Sequence, residues 1–122
     1  MKLKNTLIIV NDIQKSKAFY RDLFGLHVVS GNDGNVILTE GLVLQEASIW
    51  KIAFGKDAVP YNNASLLYFE EADIDGFREK LSSYEPAVTI ATPLTEFPWG
   101  SKVMRIYDYD GNLIEIRTPT QA

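Results

Sequence analysis

Residues 108–117 of this chain read Asp108-Tyr109-Asp110-Gly111-Asn112-Leu113-Ile114-Glu115-Ile116-Arg117, and this stretch decides the fold. Asp110-Gly111 predicts a tight two-residue hairpin turn, because glycine accepts the positive φ that such a turn requires. The residues after the turn alternate between two faces of a strand. Ile114 and Ile116 form an apolar face that suits packing against helices, while Leu113, Glu115 and Arg117 share the inner face. A carboxylate there is a ligand, a catalytic group or half of a buried ion pair, because an unpaired buried charge is too costly.

The composition indicates one globular domain that does not bind nucleic acid or membranes. The chain has 122 residues, of which 46% are hydrophobic and 23% charged, and its net charge is −4 with no cluster of Lys or Arg. It contains no cysteine, which excludes disulfides, thiolate metal sites and thiol catalysis. The apolar run at residues 7–10 is too short for a signal sequence or a membrane span, so we expect a cytoplasmic protein.

Periodicity and turn residues predict the order βαβββ in each half of the chain. In the first half we expect a strand at 3–10 that is buried on both faces, a helix at 13–24 capped by Asp12 and ended by Gly25, and strands at 26–30, 35–40 and 42–47. Segment 48–63 is predicted to be an irregular linker that packs through its aromatic residues. The second half predicts a strand at 65–70, a helix after the capping Asp73, strands at 87–92, 101–107 and 112–117, and a loop at 93–98.

The two halves also match at several positions, which favours an internal duplication over a chance likeness between two ordinary amphipathic segments. Asp12-Ile13 and Asp73-Ile74 both open a helix directly after a strand. Superposing these pairs places Tyr20 on Leu81, both on apolar stripes. Placing Gly41 on Gly111 sets Gln45 opposite Glu115.

Several motifs together resemble the vicinal oxygen chelate superfamily, which includes glyoxalase I, bleomycin resistance proteins and extradiol dioxygenases. They are a Val10-Asn11-Asp12 strand end, a helix with Ser16-Lys17-Ala18-Phe19-Tyr20 and Leu23-Phe24-Gly25, and the late stretch Asp108 to Glu115. The resemblance implies an α+β fold of two tandem βαβββ modules that form a curved, open barrel-like sheet around a cavity. It implies one domain over residues 1–122, with a module at 1–47, a linker at 48–63 and a second module at 64–118. It also implies a homodimer.

The resemblance further implies four positions at which metalloenzymes of this superfamily carry metal ligands. Here those positions hold Asn5, Leu66, Glu115 and Gln45, with Glu46 as the alternative to Gln45. A leucine donates nothing and two amides bind weakly, whereas transition metals require imidazole or carboxylate ligands. We therefore expect no metal ion and no other cofactor.

The predicted pocket mixes apolar walls with a few polar groups, which suits a small organic ligand. The residues predicted to contact it are Asn5, Leu7, Gln45, Trp50, Leu66, Tyr68, Trp99, Arg105 and Tyr107. Arg105 and Glu115 either pair with each other across adjacent strands, or Arg105 grips a ligand anion while Glu115 acts as a catalytic base. Trp50 and Trp99 either stack on the ligand or anchor their own segments.

The leading hypothesis is a metal-free small-molecule binding protein, closest to bleomycin-resistance-like members, that holds an apolar or aromatic ligand with polar groups. The alternative is a lyase, isomerase or dioxygenase of the same fold that uses Glu115 as a metal ligand or base. A third possibility is a scaffold module whose cavity has no ligand.

Overall fold

A computed structural model of the chain describes residues 1–32 and 34–119. The chain divides into two compact units, Met1–Pro60 and Tyr61–Ala122. Within the described residues each unit contains one four-stranded sheet, and neither sheet closes into a barrel. The α+β class and the two predicted modules are confirmed.

The first unit is built on a mixed sheet. Its elements are β1 (Thr6–Val10), α1 (Ile13–Phe24), β2 (Val28–Asn32), β3 (Asn35–Leu38), β4 (Leu42–Glu46) and α2 (Ala47–Phe54), with a short 3₁₀ turn at Thr39–Gly41. The strand order is β1-β4-β3-β2, with β1 parallel to β4 and the other pairs antiparallel.

The second unit repeats this topology. Its elements are β5 (Leu67–Glu70), α3 (Ile74–Ser82), β6 (Thr89–Glu96), β7 (Lys102–Tyr107) and β8 (Leu113–Arg117). The order β5-β8-β7-β6 again places the first strand parallel to the last. The shared order of elements and strands is what the predicted duplication requires.

The predicted helix ends are confirmed. The Asp12 carboxylate accepts a hydrogen bond from the Lys15 backbone N–H at 3.1 Å, and Asp73 does the same for Gly76 at 3.1 Å. Gly25 ends α1 with a φ of 68°, a left-handed conformation that glycine adopts without strain. On α1, Phe19 and Tyr20 are fully buried, so both belong to the core.

Two predictions about the first unit are wrong. The first strand begins at Thr6 rather than residue 3, and it is not buried on both faces, since Leu7 is 44% exposed. Segment 48–63 is not irregular throughout, because α2 occupies Ala47–Phe54. The residues that break helices all follow Phe54, and Gly55 ends α2 with a φ of 82°.

Two predictions about the second unit are also wrong. Residues 93–96 belong to β6 rather than to a loop. Pro93 is tolerated because β6 is an edge strand whose pairing with β7 is irregular between Thr92 and Thr95. The β7–β8 connection is not a two-residue turn but spans residues 108–112, since Tyr107 pairs with Leu113.

Candidate functional site

The centre of the second unit's sheet brings three predicted site residues together. Glu115 lies in the middle of β8, with Tyr68 of β5 as its register partner on one side and Arg105 of β7 on the other. Register partners on adjacent strands project from the same face of a sheet. Arg117, two residues beyond Glu115 on β8, lies on that face too.

Glu115 is held between two arginines, a group that we call the Arg–Glu–Arg cluster (Arg105, Glu115, Arg117). Its Oε1 accepts from Arg105 Nε at 2.8 Å and lies 2.8 Å from Arg105 Nη2. Its Oε2 lies 3.3 Å from Arg117 Nε. The Glu115 side chain is only 8% exposed, whereas those of Arg105 and Arg117 are 37% and 27% exposed. The predicted pairing of Arg105 with Glu115 is confirmed, and the cluster presents its cationic groups, not its carboxylate, to solvent.

Aromatic and apolar side chains border the cluster. The Arg117 guanidinium lies 5.6 Å from the centre of the Tyr68 ring, within cation–π range. Tyr68 is 51% exposed, and Leu66, the residue before β5, is also exposed. A ligand could therefore meet an aromatic surface directly beside a guanidinium.

Tyr107 is engaged within its own unit. Its hydroxyl donates to Asn63 Oδ1 at 2.8 Å, and its ring meets Tyr61 edge to face with centroids 4.8 Å apart. The Tyr61 backbone N–H also donates to Gly111 O at 3.1 Å. These contacts link residues 61–63 to the β7–β8 hairpin.

In the first unit the predicted site residues are not brought together. Gln45 is the register partner of Ile9, and its Nε2 donates to Asn35 Oδ1 at 3.0 Å. Asn5 instead lies near Gly41, where an added Cβ would be 3.4 Å from Asn5 Oδ1. The two amides are thus separated along the sheet by about the length of β1. Alternation places Gln45 on the face of Leu7 and places Glu46 on the opposite face.

The structure does not place Gln45 at the position in the first unit that corresponds to Glu115. The corresponding residue lies two positions earlier in the chain. With the capping residues Asp12 and Asp73 superposed, Leu7 corresponds to Tyr68. Leu7 pairs with Val43, whereas Tyr68 pairs with Glu115. The counterpart of Glu115 in the first unit is therefore a buried valine.

The two tryptophans lie in different settings. Trp50 is on α2, where its ring stacks on Phe54 at 4.8 Å, and its buried Nε1 has no hydrogen-bond partner within the described residues. Trp99 stacks on Phe97 at 4.9 Å, yet it remains 75% exposed. Trp99 and Arg117 both line a groove of about 740 Å³ in the second unit. An exposed indole thus shares a groove with one arginine of the cluster.

The donor set does not fit the metal centre that the resemblance implies. Of the four implied positions only Glu115 carries a carboxylate, and each of its oxygens already faces a guanidinium. Across residues 1–32 and 34–119, no group of three or more His, Cys, Asp or Glu is placed to hold a metal ion. A cation brought to Glu115 would have to displace both arginines.

Two residues that matter in the structure were given no role by the sequence analysis. Arg117 is absent from the predicted ligand contacts, although its spacing of two from Glu115 places both on one face. Asp108 was quoted as part of a motif but given no role. Its buried carboxylate accepts from the Asp110 and Asn112 backbone N–H groups and from Asn112 Nδ2, each at 2.9 Å. The motif Asp-x-Asp-Gly-Asn is typical of such a side-chain-capped turn.

Comparison with known proteins identifies the family. Residues 3–121 match the Glyoxalase-like domain family, so the chain belongs to that family. A protein of unknown function from Agrobacterium tumefaciens is 32% identical, with a TM-score of 0.78 over 98% of this chain and 95% of that one. The fosfomycin resistance protein FosX from Listeria monocytogenes is 18% identical, with a TM-score of 0.76 over 98% of this chain and 94% of that one. No curated protein matches the sequence.

A lactoylglutathione lyase from Agrobacterium tumefaciens shares the fold as well, with 22% identity and a TM-score of 0.67 over 96% of this chain and 92% of that one. These comparisons confirm the resemblance to the glyoxalase, bleomycin resistance and dioxygenase superfamily. Within the described residues, no helix is both long and apolar enough to cross a membrane.

Proposed function

We propose that this chain binds a small organic ligand with an apolar or aromatic body and polar groups, and that it does so without a metal ion. The ligand's polar group would bind at the Arg–Glu–Arg cluster, and its body would lie against Tyr68 and Leu66. The observation that carries the proposal is that Glu115 anchors two partly exposed guanidiniums on one sheet face.

Three properties of the cluster support this role. A guanidinium has five N–H donors, so the bonds from Arg105 to Glu115 leave others for a ligand. The buried carboxylate fixes the orientation of Arg105 through two contacts of 2.8 Å, which lowers the entropy cost of binding. The neighbouring Tyr68 ring offers a flat apolar surface.

The competing function is a lyase, isomerase or dioxygenase that uses Glu115 as a metal ligand or base. The position of Glu115 favours it, because a buried carboxylate on the inner face of a sheet is held at a fixed place. The two flanking arginines oppose it, since one guanidinium faces each carboxylate oxygen. We therefore favour binding over catalysis.

Thermal shift measurements with a panel of aromatic and peptide-like compounds test the proposal. We expect at least one compound to raise the Tm of the wild type and of Arg21→Ala, an exposed arginine in the first unit, but not of Arg105→Ala. A panel without any stabilising compound would contradict the proposal, as would a compound that stabilises Arg105→Ala to the same extent.

The proposal also includes a homodimer, which the resemblance implies, and a cytoplasmic location, which is expected from the short apolar run at residues 7–10. Sedimentation velocity at micromolar concentration tests the assembly, and a single species of about 14 kDa would contradict it, since the chain itself has a mass of 13.7 kDa.

A further inference from the structure

We propose that the ligand carries a single negative charge, and that Glu115 is the residue that sets this preference. The inference rests on the proposed function, because it concerns the same Arg–Glu–Arg cluster. Two guanidinium cations face one carboxylate there, so the cluster has a net charge of +1.

The geometry indicates that Glu115 does not touch the ligand but influences which ligand charge the site prefers. Its side chain is 8% exposed and each oxygen faces one arginine, whereas both arginines are partly open to solvent. A ligand therefore meets guanidinium N–H groups while the buried carboxylate acts on it through its charge. Partial burial weakens solvent screening, so this charge is felt over the few ångströms to a bound anion.

A monoanion neutralises the cluster, whereas a neutral ligand leaves one positive charge and a dianion leaves one negative charge. An uncompensated charge in a partly buried site is unfavourable. Glu70, the register partner of Arg117 at the end of β5, is a second carboxylate on this face, but it is exposed whereas Glu115 is 8% exposed, so solvent screens the charge of Glu70 more strongly than that of Glu115. The preference therefore depends mainly on Glu115.

Affinity measurements with benzamide, benzoate and phthalate, which share one ring and carry charges of 0, −1 and −2, test the inference by NMR titration. The wild type should bind benzoate most tightly. In Glu115→Gln the cluster has two uncompensated cations, so the affinity ratio of phthalate to benzoate should rise about tenfold. Glu79→Gln, which removes an exposed carboxylate from α3, should leave that ratio unchanged.

A second variant keeps the test decisive if Glu115→Gln fails to fold. Arg105→Gln leaves one cation and one anion, so the affinity ratio of benzoate to benzamide should fall about tenfold. Glu115→Asp retains the charge and should retain the order of preference.

The outcomes separate this inference from the proposed function. If none of the three probes binds the wild type, both proposals fail. If benzoate binds and either charge-changing variant leaves its ratio unaltered, ligand binding stands and the role of Glu115 is refuted. A shift in both ratios in the stated directions supports both proposals.

Discussion

Asp108 organises the turn that leads into the strand of Glu115. We expect Asp108→Ala to lower the free energy of unfolding by about 2–4 kcal/mol, because one buried carboxylate satisfies three N–H groups of the turn. Asp108→Asn should lose less, since the amide oxygen still accepts. Urea denaturation measures both. Asp57→Ala, an exposed partner of Lys51, is the control and should change stability little. Equal stability of Asp108→Ala and Asp57→Ala would show that the turn does not depend on this carboxylate.

The ion pair between Asp75 and Lys102, 2.9 Å apart, links stability to pH in the second unit. The hydrogen bond from Lys102 lowers the pKa of the Asp75 carboxyl group below its ordinary value, and the same bond raises the pKa of Lys102. The Asp75 contribution is therefore present above the ordinary carboxyl pKa and is lost as pH falls through the lowered one. The Lys102 contribution is present below the ordinary lysine pKa and is lost as pH rises through the raised one.

An NMR titration of the Asp75 carboxyl carbon tests whether the ion pair with Lys102 lowers the Asp75 pKa. In Lys102→Met we expect the Asp75 pKa to move up toward its ordinary value, because the stabilising hydrogen bond is gone. Lys80→Met removes an exposed charge from the last turn of α3 and should leave the Asp75 titration unchanged. A titration curve of Asp75 that is identical in the wild type and in Lys102→Met would contradict the pairing.

The first helix depends on its cap at Asp12. Asp12→Ala should cost about 1 kcal/mol of stability, because the Lys15 backbone N–H loses its acceptor. Asp12→Ser should recover most of this loss, since a hydroxyl can cap in the same way. Chemical denaturation gives the comparison, with Asp22→Ala as a control that removes an exposed pair with Arg21. A smaller loss for Asp12→Ala than for Asp22→Ala would rule out the cap as a source of stability.

The sequence predicted the elements whose signals are local and missed those decided by tertiary packing. Caps such as Asp12 and Gly25 are read from a few adjacent residues, so both helix ends were correct. The helix α2 was missed because its aromatic residues and the breakers after Phe54 were treated as one segment. The end of β6 was missed because Pro93 indicates a loop, and only the edge position of the strand makes it tolerable.

The candidate site was predictable only where alternation along a strand decides it. The face shared by Arg105, Glu115 and Tyr107 followed from the two-residue period of β7 and β8, and the register confirms it. The equivalence between the units was not predictable to the residue. It depends on how β4 and β8 pair with their parallel neighbours, and the two pairings differ by two residues when the capping aspartates are superposed. A difference in register between two parallel strand pairs cannot be predicted from the sequence of either strand alone.

The register difference leads to a prediction about metals for the whole chain. The metal site that the resemblance implies takes donors from both modules, yet here the counterpart of Glu115 is Val43 and the carboxylate itself is held by two arginines. We therefore expect less than about 0.1 equivalent of Ni, Zn, Fe or Mn per chain after purification without a metal column, and no change in Tm after treatment with a chelator. Adding these ions in slight excess should leave Tm unchanged as well.

The informative variant is the double substitution Arg105→Ala with Arg117→Ala. It frees the Glu115 carboxylate but still supplies only one strong donor, so it should gain at most weak metal binding. A tightly bound ion in the wild type, lost together with stability on chelation, would mean that Glu115 releases its arginines for a metal, and the enzymatic alternative would then replace the binding function.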